Sequence, residues 1–187
     1  MGGKRGVAVK SLLAIGGVVD RVSDLFGYLA KWLVLFACLV SAGNAAIRYL
    51  FSYSSNGWLE IQWYMFAGIV MLGAAQTLRL NEHVRVDVIY SVISDRARLW
   101  IDILGITFFL LPVTVYLTYL TVPFFLISFQ QQDYSNNAGG LILWPVKAVL
   151  PLGFILLFFQ GLAELVKRIA ALAGLVRVDT RYEAPLQ

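Results

Sequence analysis

The stretch ILGITFFLLPVTVYLTYLTVPFFLISFQQQ, residues 103–132, contains no charged side chain. A soluble core rarely asks for so long an uncharged run. A bilayer does, because about 20 mostly apolar residues are needed to cross about 30 Å of hydrocarbon. This one run places the chain in a membrane and raises the question of how many other segments join it there.

The rest of the chain agrees. Its 187 residues are 59% hydrophobic and 14% charged, with a mean hydropathy of +0.75. Soluble domains are about half apolar and about a quarter charged. Three further segments qualify as spans, so the expected fold is an all-α integral membrane domain over residues 26–172, with spans at about 26–51, 58–78, 97–129 and 141–166. Lys31 and Arg48 bracket the uncharged part of the first and can snorkel outward. The third would be about 50 Å long at 1.5 Å per residue, so it must tilt, kink or project. Pro112 and Pro123 lie nearly three turns apart on it and are expected to bend it on one face. Pro145 and Pro151 fall near the start of the fourth, where proline is tolerated best.

Charge then orients the spans. Of the 15 Lys and Arg residues, only Arg48 and Lys147 fall on the side away from the termini. The positive-inside rule therefore predicts both termini in the cytoplasm. It also accounts for the net charge of +4 without nucleic acid as a partner. The opposite side has the loops SYSSNG (52–57) and QQQDYSNNAGG (130–140), uncharged except for Asp133.

Residues 1–25 are not read as a cleaved signal. Lys10 interrupts the apolar stretch, and no small-x-small site precedes Asp20. Leu12, Ile15, Val19, Val22 and Phe26 recur at helical spacing, which predicts an amphipathic helix in contact with membrane lipids at the cytoplasmic interface, or else with a partner. Residues 173–187 form a polar cytoplasmic tail.

RLNEHVRVDVIY (79–90) is then a cytoplasmic elbow between the second and third spans. Val84, Val88 and Val92 repeat every four residues and suit a short interfacial helix; a strand here would leave its edge unpaired. Ser94 or Asp95 would cap the third span. His83 is the single histidine and Cys38 the single cysteine, so no Cys/His metal framework or two-histidine haem site can form within the chain. No nucleophile, base and carboxylate combine at one depth. No cofactor or catalytic group is expected, and His83 is read as a histidine satisfied by its neighbours.

Polar groups at membrane depth are the functional suspects. Arg48 and Glu60 flank a short turn at similar depth, which predicts an ion pair closing that hairpin. Asp102 and Glu164 lie near cytoplasmic ends, and Lys147 near the outer start of the fourth span. Asn44, with Ala42 and Ala46 around it, suggests a helix-packing face, as do Gly68 and Ala75. No charge falls at the midplane, and no pair of broken helices appears in matching halves, where secondary transporters place their sites. The pattern suits an accessory subunit packed against a larger membrane protein.

Glu60, Gly73, Arg79 and the HVxVD-like segment His83, Val84 and Asp87 together resemble the small membrane (DctQ-like) subunit of tripartite ATP-independent periplasmic (TRAP) transporters. So does SNNAGGLILWPVKAVLPLGFILL (135–157), with Trp144, Pro145, Pro151 and Gly153. The resemblance covers roughly residues 26–172. It implies a scaffold that binds no sodium and no substrate itself. Its expected partners are a large membrane permease subunit and a periplasmic binding protein, which together import a small organic acid, typically with sodium. As the chain stops at Gln187, the large subunit is expected as a separate chain. The competing readings are a membrane enzyme or redox anchor using His83 and Cys38, and a self-assembling channel lined by Thr107, Thr114, Thr118 and Thr121 of the third span.

Overall fold

The computed structural model describes residues 2–81 and 93–176, with side chains described from Ser11 onward. Helix α1 runs Gly2–Phe51, α2 Asn56–Leu80, α3 Asp95–Gly105, α4 Leu111–Gln131 and α5 Trp144–Leu172; a π turn, Ile106–Leu110, joins α3 to α4. Among the described residues there is no strand, only a single antiparallel bridge between Tyr134 and Ile142. Four helical segments are long and apolar enough to cross a membrane: Ser11–Phe51, Asn56–Leu80, Asp95–Gln131 and Trp144–Leu172.

These are the four spans expected from the uncharged runs, and their ends differ instructively. The N-terminal amphipathic stretch is helical and continues into the first span without a break, making α1 a 50-residue rod. Nothing between Ser11 and Phe51 interrupts backbone hydrogen bonding, since the stretch has no proline. The fourth span starts later and ends later than residues 141–166, at Trp144 and Leu172. Residues 141–143 are held instead in the preceding loop, where the Leu143 N–H donates to the Asp133 carbonyl at 2.8 Å.

The long third span carries a π turn just before Pro112. The Leu111 N–H reaches back five residues to the Ile106 carbonyl. Proline at 112 has no N–H to offer and its ring crowds the preceding turn, so a locally widened helix relieves both defects. Pro123 stands inside α4. Thr114 donates to the Leu110 carbonyl (2.9 Å), Thr118 to Thr114 (2.7 Å) and Thr121 to Leu117 (2.7 Å). These hydroxyls donate within their own helix. Ser94 sits at the N-cap of α3 but makes no side-chain cap bond; its carbonyl accepts the Arg98 N–H at 3.0 Å.

Helix α5 is the spine. It packs against α1, α2, α3 and α4, while α1 also packs along α2. Small residues allow the close approaches. A Cβ on Gly153 would lie 2.6 Å from the Met71 Cβ, and one on Gly27 would lie 2.1 Å from the Gln76 side chain. Gly68 and Ala75 are buried on α2, so the expected small-residue face is its packing face. Ala42 and Ala46 are exposed; the face of α1 in use carries Ala30 and Ala37.

The interior mixes small apolar side chains with polar ones, and the exterior is apolar. The largest fully buried side chains are Gln160, Thr114, Ser23 and Ser128, while Trp63, Phe66, Phe109 and Tyr119 are exposed. In lipid this ordering is sensible, because hydrocarbon solvates apolar side chains while polar groups gain by pairing between helices, as Ser23 and Gln160 do. Exposed Tyr28 and Tyr49 lie about 31 Å apart along α1 at 1.5 Å per residue. That separation matches the hydrocarbon thickness, the spacing expected of two interfacial aromatics on one span.

Candidate functional site

The polar side chains gather in two clamps, one at each end of the bundle. The first is built on Glu60, one turn into α2 and only 5% exposed. Its Oε1 accepts hydrogen bonds from the Ser135 hydroxyl and from Asn137 Nδ2 (2.8 Å), and its Oε2 accepts from the Leu141 N–H (2.7 Å). One turn further on, the Tyr64 hydroxyl donates to the Ile142 carbonyl at 2.9 Å. One turn back, Asn56 Nδ2 donates to the Ala138 carbonyl at 3.1 Å. Residues 56, 60 and 64 share a helix face, so the first turns of α2 carry the 133–143 loop. Gly139 turns that loop with φ +71°.

The other side of the loop is fixed to α4 and α5. Lys147 Nζ donates to Asp133 Oδ2 at 2.8 Å and sits 4.6 Å from the Phe124 ring centroid. The Asp133 carboxyl is held below the usual range chiefly by that Lys147 bond. Trp144, opening α5 with Pro145 behind it, meets Phe129 edge-on at 5.2 Å.

The expected Arg48–Glu60 ion pair does not form. Successive residues turn about 100° around a helix, so Glu60 points some 200° away from Gln62. Leu59 and Gln62 are the α2 residues that line, with Arg48 and Asn44, an open groove between the two helices. Three directed donors from the loop, one of them a backbone amide, give Glu60 a complete set of partners without Arg48. Asn44 makes no hydrogen bond to another described residue, so among the described residues it joins no helices.

The second clamp joins α1, α3 and α5. Gln160 accepts from the Ser23 hydroxyl at 2.7 Å and donates to Asp20 Oδ1 (2.9 Å) and Glu164 Oε1 (3.2 Å). Lys167 Nζ donates to the same two oxygens at 2.7 and 2.8 Å. Arg168 Nε reaches Asp102 Oδ2 at 2.9 Å, and its Nη1 bonds Glu164 Oε2. Beside this cluster, Asp24 binds Arg79 and accepts from Gln76 Nε2 at 3.3 Å, which brings in α2. Glu164 and Arg168 are buried. A buried charge is tolerable only when paired and hydrogen-bonded, and each of these has both.

Sequence reasoning placed Asp102 and Glu164 near this end but missed Gln160, Asp20 and Ser23 as their companions. The spacing carried the information. Gln160, Glu164, Lys167 and Arg168 stand at i, i+4, i+7 and i+8 on an apolar helix, and Asp20, Ser23 and Asp24 at i, i+3 and i+4.

Of the other expected residues, Gly73 faces Ala30, 3.7 Å from where its Cβ would be, and its carbonyl accepts the Thr77 hydroxyl. Pro151 is buried within α5. Cys38 is exposed and free. His83 and Asp87, with the elbow helix expected around Val84–Val92, lie outside the described residues.

Apolar outside and tied by polar clamps within, with four helical segments long and apolar enough to cross a bilayer, the chain is a multi-pass membrane protein. A model of the family described as tripartite ATP-independent periplasmic transporters, DctQ component, matches residues 37–171, and the chain belongs to that family. No match is found among curated proteins or among solved structures. The matched stretch includes the whole Glu60 clamp and the α5 half of the second clamp. Asp20, Ser23 and Asp24 lie before it.

Proposed function

We propose that this chain is the scaffold subunit of a binding-protein-dependent importer for a small organic acid. A large permease subunit carries the solute and couples it to sodium, and this chain braces that subunit without catalysis or ion binding of its own. Both termini lie in the cytoplasm of a cell with a periplasm, and the 133–143 loop faces the periplasmic binding protein. One observation carries the reading. The buried charged groups of the bundle are paired near its ends, in clamps that tie helices and loop together, and the long middle runs of its spans carry no charged side chain. Charge asymmetry supports the orientation, since the second clamp and most Lys and Arg residues share the side with the termini.

The test is purification of the tagged chain from its native membrane in mild detergent, with mass identification of co-eluting chains. A stoichiometric large polytopic subunit is expected, together with loss of organic-acid uptake when this chain is deleted. Elution alone, or only with copies of itself, would end the scaffold reading.

A further inference from the structure

At the Glu60 end, α1 and α2 leave between them an open groove of about 500 Å³. Arg48, Asn44 and Ser41 line it from α1 and Gln62 from α2, against apolar walls formed by Ala45 and Leu59. Arg48 is exposed and forms no ion pair with any described residue. Gln62 spends one amide hydrogen on the Trp58 carbonyl at 3.1 Å and makes no other side-chain hydrogen bond to a described residue. The lining contains no carboxylate. This is a cation over a ladder of amides and a hydroxyl, on a surface otherwise made for lipid.

We propose that the groove binds one glycerophospholipid, with its phosphodiester on Arg48 and a glycerol ester carbonyl on Asn44. The level is right. Tyr49 lines the groove, Tyr53 and Trp58 are exposed near the same ends of α1 and α2, and such aromatics settle at the headgroup layer. The order is right as well. Asn44 lies one turn below Arg48, about 6 Å deeper along α1, and in a phospholipid the ester carbonyls lie one step below the phosphate. The guanidinium matches phosphate oxygens with two parallel donors. Ester carbonyls only accept, so the Asn44 amide supplies the donor they need, and the acyl chain lies against Ala45 and Leu59. A partner carboxylate would satisfy Arg48 alone, would leave the deeper amide without a partner, and would have to be desolvated itself. With no acidic group in the lining, an anionic headgroup is favoured over a zwitterionic one by roughly fivefold for a single cation. The site is independent of the importer reading.

The experiment places the full chain in nanodiscs of equal phosphatidylglycerol and phosphatidylcholine, then counts retained lipids by native mass spectrometry. One retained phosphatidylglycerol, preferred roughly fivefold, is expected. Arg48→Gln should abolish the preference, and Asn44→Ala should weaken retention of both lipids. Arg21→Gln, an exposed cation of α1 at the other end, should change neither. Elution volume and helicity report whether each variant folds, which exposed Arg48 makes straightforward. A wild-type chain released without lipid, or an Arg48→Gln variant that keeps the preference, overturns the proposal. So does a lipid present on the isolated chain but absent from the complex purified from native membrane, since a partner group would then hold Arg48.

Discussion

The backbone N–H of Leu141 points at the side chain of Glu60 and donates to its Oε2 at 2.7 Å, joining two residues 81 positions apart in the chain. A carboxylate near the start of a helix thereby shapes a loop that belongs to two other helices. The loop owes its form to α2 as much as to its own turn at Gly139.

Removing the Glu60 carboxylate should therefore loosen the loop before it harms the bundle. In Glu60→Ala the Ser135 hydroxyl, the Asn137 amide and the Leu141 N–H all lose their acceptor. Hydrogen exchange at Leu141 should speed up by roughly tenfold, the equivalent of one lost hydrogen bond, while exchange in the middle of α5 stays unchanged. Equal acceleration in both places would mean that Glu60 supports the whole fold.

At the opposite end, Gln160 is the node that sequence reading passed over. Gln160→Ala leaves Ser23 without its acceptor and removes a donor from Asp20 and Glu164. We expect a loss of about 1–2 kcal/mol in reversible unfolding from detergent. Ser23→Ala in the same background should add less than it costs alone, because the two side chains share one bond.

The contact between Gly153 and Met71 allows a steric test. An alanine at 153 puts its Cβ 2.6 Å from the Met71 Cβ and 2.8 Å from the Met71 carbonyl oxygen, so α2 and α5 must separate. A cost of about 2 kcal/mol is expected from such overpacking. Gly43→Ala is the matched control. Nothing lies within 4 Å of its added Cβ, and its stability should hold or rise slightly.

The Asp133–Lys147 pair gives a pH dependence with a definite sign. Its folded carboxyl lies below the ordinary value of 3.8, chiefly through the Lys147 bond. The pair therefore contributes fully above that ordinary value and is lost as pH falls through the depressed one. Trp144 fluorescence, which reports the packing against Phe129, should be flat from about pH 8 to about pH 5 and change only in stronger acid. In Asp133→Asn that acid step should vanish.

The spans were legible because exclusion of charge from hydrocarbon acts residue by residue, and a run such as 103–132 announces itself without knowledge of its neighbours. The partner of Glu60 was not. Arg48 was the nearest opposite charge in sequence, and only the rotation of α2 about its axis decides that Glu60 turns toward Leu141. Gln160 was overlooked for a related reason. It carries no charge, so a search for ionisable groups passes it, although in a bilayer an uncharged amide needs partners as much as an ion does. The helical nature of residues 11–25 was readable from their spacing; their direct continuation into the first span follows from the absence of a breaker, a weaker cue than a charge.

Helix α1 has a mechanical consequence. Its 50 residues make an unbroken rod of about 75 Å, while a bilayer with its headgroups is about 40–45 Å thick. The rod is longer than an upright crossing needs, so tilt or projection must take up the difference, and the Asp20 and Asp24 bonds tie its N-terminal half to α5 and α2. Because no break interrupts the helix, a tilt at the Arg48 end would be carried along its length as motion of one lever.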